Sequence, residues 1–150
     1  MALDDHIRIL SGVRLFEGFT REQLRLLAFG AEAMHLPTGK KLYHENDDAD
    51  SAYIVIRGEL SLFRENEGER VAVSTAGPGA VMGEMALIAD SKRLTSAEAR
   101  ADADVLRINR SMFRRILEEY PETAERLRAQ IIEDLQALIA RIQQVGERLG

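Results

Sequence analysis

Between Met34 and Ile108 the apolar residues come in short runs, each broken by Gly, Asn, Asp or Pro, which is the pattern of strands rather than of long helices. Tyr53 to Ile56 is a continuous apolar run that stops at Gly58. Leu60 and Leu62 alternate with polar neighbours, Glu67-Gly68 turns the chain into Val71 and Val73, and Val105, Leu106 and Ile108 close the series. Many short strands with turn signals at this spacing predict a small barrel or jelly roll.

The two flanks read differently. Ile7, Ile9 and Leu10 open a short amphipathic piece. Thr20 precedes Gln23 with capping-box spacing, and Leu24, Leu27 and Ala28 form a stripe, so a helix is predicted from about Arg21. Ser111 is the predicted N-cap of a helix through Glu119, which Pro121 interrupts or re-aims. Beyond Pro121 the pattern stays helical. Ile131, Leu138 and Val145 are spaced by seven, as are Leu135, Ile142 and Leu149, and Ile132 and Ile139 broaden this seam. Such a helix can pack on its own barrel or be shared with a second copy. The width of the stripe favours the second, with pairing best from Ile131 onward. The expected organisation is one domain, 1–150: helices over about 5–30, strands over about 33–109 and helices over about 111–149.

Composition excludes several classes. A chain of 150 residues is long enough for one domain with a real core. A formal charge of −5 argues against a surface built to neutralise DNA phosphates or to coat an anionic membrane. There is no cysteine, hence no disulfide framework, thiolate site or cysteine nucleophile. Asp4, Asp5 and His6 are unlike a signal peptide, and no apolar run approaches a membrane span, so the cytoplasm is the expected location. His6, His35 and His44 are scattered and lack the spacing of a metal-binding jelly roll. The acidic run Glu45 to Asp50 lacks the spaced ligands of a calcium loop and reads as a solvated turn.

One stretch carries chemistry. Gly83-Glu84-Met85-Ala86-Leu87-Ile88 is followed by Arg93 and preceded by the turn Gly77-Pro78-Gly79. Glycine lets backbone N–H groups approach an anion, and Arg93 can bind a phosphate by charge-assisted bonds. An ionised Glu84 only accepts hydrogen bonds, so its natural partner is a sugar hydroxyl. A solvated surface pair of Glu84 and Arg93 is the competing reading.

In order, Leu15-Phe16, Leu24, Leu27-Ala28, Tyr53 to Gly58, Gly77-Pro78-Gly79, Gly83 to Ile88, Arg93, Phe113 and Pro121 resemble the cyclic nucleotide-binding domain of the catabolite activator protein, protein kinase A regulatory subunits and nucleotide-gated channels. The resemblance implies a mainly β fold: a β-roll with N-terminal helices and a long C-terminal helix. It makes 83–96 a phosphate-binding cassette. Glu84 would hold the ribose 2′-hydroxyl, Arg93 the cyclic phosphate, and Gly83 with backbone N–H groups of Met85, Ala86 and Leu94 would complete the cradle. Leu62 and Val73 match positions near the base, and Leu138-Ile139 match the lid over it, so an apolar lid unable to read base edges is expected.

Three positions depart from the pattern: Lys92 stands for a common proline, Asn46 for a common glycine, and Leu94 for a small or hydroxylated residue. Leu94 tilts the ligand towards cAMP over cGMP. The implied function is a regulatory sensor and not an enzyme, with no cofactor or metal. It would bind a cyclic nucleotide, pair through its last helix as a homodimer and act on a downstream protein. The alternatives are a ligand-independent dimerisation or interaction domain of the same fold and, less consistent with the histidines, a metal-dependent jelly-roll enzyme. A transcription factor is a further analogy. The segment from Pro121 to Gly150 carries four arginines against five carboxylates, so direct nucleic-acid binding is not expected.

Overall fold

The computed structural model describes the backbone of residues 2–149 and the side chains of residues 3–146. Three helical pieces lead in: α1 (Ala2–Ser11), a 3-10 turn at Arg14–Phe16 and α2 (Arg21–Gly30). Ten strands follow: β1 (Glu32–Leu36), β2 (Lys41–Tyr43), β3 (Asp48–Ala49), β4 (Ser51–Arg57), β5 (Leu60–Asn66), β6 (Glu69–Ala76), β7 (Val81–Met82), β8 (Ser91–Lys92), β9 (Ser96–Ala99) and β10 (Ala103–Asn109). The chain finishes in α3 (Arg110–Glu119) and α4 (Pro121–Leu149).

Two four-stranded antiparallel sheets, ordered β1-β10-β4-β7 and β2-β9-β5-β6, face each other, and β3 pairs with β8 at one end. This is the β-roll that the resemblance implies, in keeping with the small barrel or jelly roll that the strand pattern predicts. The β5–β6 hairpin is closed by Glu67 and Gly68, both with positive φ (52° and 83°), and pairs Asn66 with Glu69. A two-residue loop of that hand matches the twist of the flanking strands.

The first sheet is buried on both faces, which explains the unbroken run from Tyr53 to Ile56. Tyr53, Val55, Ala103 and Val105 point into the roll with Tyr43, Leu60 and Met82. Ala52, Ile54, Leu106 and Ile108 point the other way, into a second core shared with the helices. There Leu10, Leu27, Phe113, Leu127 and Ile131 are almost wholly buried. Phe16 joins the two ends of the chain, its ring 5.1 Å from that of Phe19 and 6.3 Å from that of Phe113. Each such buried side chain contributes about 1.5–3 kcal/mol.

The capping box forms as the sequence predicts: Gln23 N donates to Thr20 Oγ1 (3.1 Å) and Thr20 N donates to Gln23 Oε1 (2.8 Å). The cap of α3 is a correction. Asn109, not Ser111, accepts from Met112 N (2.8 Å), while Ser111 Oγ donates to the same Asn109 oxygen (2.9 Å). Ser111 already lies inside the helix, where its hydroxyl supports the cap. Pro121 does re-aim the chain, because α3 ends at Glu119 and α4 starts at Pro121.

The direction of α4 decides what its apolar stripe meets. Leu127 and Ile131 are buried in the helical core. Leu135 and Leu138 then face a cavity at the side of the roll, and Ile142 and Val145 face a groove formed with Val71 and Val73 of β6. Much of the seam therefore packs towards its own barrel. Ile132 and Ile139, at 42% and 38% exposure, remain outside. The Leu149 side chain lies outside the described residues.

Candidate functional site

Gly77-Pro78-Gly79 turns the chain from β6 into β7, with Ala80 N donating to Gly77 O (3.0 Å). β7 is held against β4 through Tyr53 and Met82, and Gly83 follows it. Gly83 adopts φ +72°, and a Cβ there would collide with Nη1 of Arg93. This position therefore needs glycine twice over, for its backbone and for the arginine beside it. From Gly83 the chain enters a single 3-10 turn, Glu84–Leu87, whose Ala86 and Leu87 are buried. Arg110 ties down its far end, with Nη1 donating to Ala89 O (2.9 Å), Ala86 O (3.3 Å) and Ala49 O (3.2 Å).

Arg93 is 5% exposed. Its backbone is pinned to the 46–47 turn: Arg93 N donates to Asp47 O and Asn46 N donates to Arg93 O, both at 2.8 Å. Asn46 has φ +71°, the left-handed conformation that asparagine tolerates in place of glycine. The guanidinium lies 4.3 Å from the Tyr43 ring centroid and 5.5 Å from that of Tyr53, and Nη2 donates to Ser51 O (2.8 Å). Nε and Nη1 are buried with no hydrogen-bond partner among the described residues. A buried cation with two free donors is costly unless an anion meets it. This excludes the solvated surface pair of Glu84 and Arg93.

A cavity of about 310 Å³ opens over these groups, between the roll and α4. Its size suits a ligand of nucleotide dimensions. Gly83, Glu84, Met85, Ala86, Arg93 and Leu94 all line it, as do Leu62 and Leu138. Val73 instead lines the neighbouring groove with Ile142 and Val145, and Ile139 is exposed. Lys92 reaches the cavity but pairs with Asp48. The acidic run is likewise more than a solvated turn. Glu45 holds Arg64 (3.0 Å), and Asp50 holds Ser51 (2.7 Å).

Sequence reasoning missed Tyr43, Asp134 and Arg141. Nothing in the sequence around Tyr43 announces that it stacks on Arg93. Asp134 and Arg141 had a usable signal, since both share a helix face with Leu138 at spacings of four and three. Their presence means the lid is not wholly apolar. Burial, and then the charge of Asp134, push the Glu84 carboxyl up to about 8. Burial also pushes the Tyr43 phenol up to about 12, with Arg93 pulling the other way. The cavity thus offers a cation with free donors and a carboxyl group that holds its proton at neutral pH.

Residues 33–120, more than half of the chain, match the family model of the cyclic nucleotide-binding domain. The chain is 29% identical over 121 residues to the Cyclic AMP receptor protein of Thermus thermophilus, covering 80% of this chain and 56% of that protein. Among solved structures it is similar to the cyclic nucleotide-binding-like protein of Brucella abortus, with 56% identity, a TM-score of 0.70, and coverage of 77% and 99% of the two chains. It is similar also to the regulatory domain of Toxoplasma gondii PKA solved with cAMP, with 27% identity, a TM-score of 0.71, and coverage of 76% and 44%. The chain spans little more than half the length of the curated relatives it matches, and often far less. No helix among the described residues is long and apolar enough to cross a membrane. With its β-roll, its glycine-led 3-10 turn and its buried arginine, the chain belongs to the cyclic nucleotide-binding domain family.

Proposed function

We propose that this domain is a sensor that binds a cyclic nucleotide, cAMP in preference to cGMP, in the cavity between the roll and α4, and that it is not itself an enzyme. The observation that carries this reading is Arg93, held rigid by Tyr43 and Ser51 with Nε and Nη1 left free and buried. In this reading Arg93 grips the cyclic phosphate, backbone N–H groups of the 3-10 turn and of Leu94 assist it, and Glu84 meets the ribose hydroxyl. Leu62 and Leu138 flank the base. Leu94 supplies no hydroxyl to a guanine, which is the ground for preferring cAMP.

Because α4 forms one wall of the cavity, ligand contacts with Leu135 and Leu138 bias the position of that helix. The signal leaves through α4, either to a downstream protein or within a homodimer in the cytoplasm. Ile132 and Ile139, exposed and seven residues apart, support pairing through the outer side of the helix. Thermal-shift measurements with cAMP, cGMP and linear AMP test the reading. Stabilisation in the order cAMP, cGMP, AMP is expected, and no shift with any of them at millimolar concentration favours a ligand-independent interaction domain.

A further inference from the structure

The lid helix brings a second carboxylate to the cavity. Glu84 opens the 3-10 turn and Asp134 sits on α4, so the two acids reach the same space from elements on opposite sides of it. Neither forms an ion pair among the described residues. Gln130 Nε2 donates to Asp134 Oδ1 (2.9 Å) and fixes that side chain within its own helix, leaving its other oxygen without a partner among the described residues.

Three nearby cations are engaged elsewhere. Arg93 is stacked on Tyr43 and bonded to Ser51, Lys92 pairs with Asp48, and Arg110 is bound to carbonyl groups and Asp90. Arg141, two turns beyond Asp134 on α4, also lines the cavity and has no ion pair among the described residues. The buried phenol of Tyr43 also lines this cavity and adds no positive charge. Neither acid is therefore neutralised by an ion pair among the described residues, in a cavity that also contains a buried arginine with unpartnered donors.

We propose that Asp134 is a specificity-determining residue of this cavity: with Glu84 it forms a carboxyl pair holding one proton, which recognises a ligand hydroxyl by donating to it from one side and accepting from it on the other. The inference rests on the cavity being the nucleotide site. A carboxylic acid donates one hydrogen bond and a carboxylate only accepts, whereas a hydroxyl does both, so a single ligand hydroxyl completes the pair. An amino group offers donors only, and a deoxy sugar offers nothing. Burial and the Asp134 charge, which hold Glu84 protonated up to about pH 8, agree with one retained proton. Above that pH two carboxylates share the space and one hydroxyl satisfies only one of them.

The test is calorimetric titration with cAMP and 2′-deoxy-cAMP at pH 6.5 and pH 9, using the wild-type protein, Asp134→Ala and Asp134→Asn. The wild-type protein is expected to prefer the hydroxylated ligand at pH 6.5 and to lose much of that preference at pH 9. Asp134→Ala should cut the preference at pH 6.5 by about three- to tenfold, the worth of one hydrogen bond. Asp134→Asn keeps an acceptor, so it should retain the preference at pH 6.5 and weaken its pH dependence. An unchanged ratio in Asp134→Ala that otherwise binds cAMP normally overturns the proposal and leaves the nucleotide site standing. Absence of cAMP binding by the wild-type protein overturns the nucleotide reading, and with it the hydroxyl recognition. Carbon-13 NMR of the side-chain carboxyls then decides the pair separately. A group titrating near pH 8, removed by Glu84→Gln and moved down by Asp134→Asn, is expected. No such group, or one that Asp134→Asn leaves in place, overturns the pair.

Discussion

The guanidinium of Arg93 lies 4.3 Å from the ring centroid of Tyr43, and this contact fixes a buried cation of the cavity before any ligand arrives. The ring supports one face of the guanidinium, and Ser51 O takes the Nη2 hydrogen. Little ordering is left to be done on binding, which is where affinity is usually lost.

Arg93→Lys tests that geometry. Lysine keeps the charge but has neither the planar fork nor the flat face that stacks on Tyr43. Nucleotide affinity is expected to fall by at least about tenfold in calorimetry while the far-UV circular dichroism spectrum stays the same. Undiminished affinity would mean that point charge alone suffices.

Gly83→Ala should be more damaging than an ordinary glycine change. It combines strain at φ +72° with a collision against Arg93 Nη1, so it displaces the residue that carries binding. A stability loss of about 1–3 kcal/mol in urea denaturation and loss of cAMP binding are expected together. A variant that binds normally would show that the 3-10 turn relaxes without moving Arg93.

Glu84 makes stability depend on pH in an unusual direction. Its carboxyl is raised from 4.5 to about 8, so between those values the folded protein holds a proton that the unfolded chain has released. Stability from this group is therefore greatest at the acidic end and falls as pH rises through 8. Glu84→Gln cannot lose that proton, and its melting temperature should exceed that of the wild-type protein by a few degrees at pH 9. At pH 5 the two should nearly coincide. A wild-type advantage at pH 9 would contradict the assignment.

The two sides of α4 separate assembly from binding. Leu138 lines the cavity and Ile139 is exposed, although they are neighbours in sequence. Ile132→Asp with Ile139→Asp should convert a homodimer to monomers in light scattering and leave the ligand cavity untouched. Leu138→Asp should act first on nucleotide affinity. A monomeric wild-type protein at tens of micromolar would refute pairing through α4.

Much of this molecule was legible in its sequence because the relevant signals are local. The capping box at Thr20 and Gln23, the Glu67-Gly68 hairpin and the left-handed Asn46 each depend on residues close in the chain. The cassette from Gly83 to Arg93 was legible for the same reason, and all six of its candidate residues line the cavity. What escaped depends on how distant elements are oriented. A heptad stripe specifies that α4 buries one side, but not whether a second chain or its own roll receives it. The helical core receives Ile131, and the cavity beside the roll receives Leu135 and Leu138. That orientation also brings Asp134 to Glu84 and Arg141 to the cavity, fifty and more residues from the cassette's first acid. Tyr43 meets Arg93 only because β2 and the segment after β8 converge in the fold.

The most direct test of the central claim is calorimetric titration of cAMP into the wild-type protein and Arg93→Ala at neutral pH and fixed salt. The account predicts saturable binding with one site per chain for the wild-type protein. It predicts affinity lower by about 2–5 kcal/mol in the variant, with the fold retained by circular dichroism. Equal affinity of the two proteins, or no heat with the wild-type protein at millimolar cAMP, would contradict it.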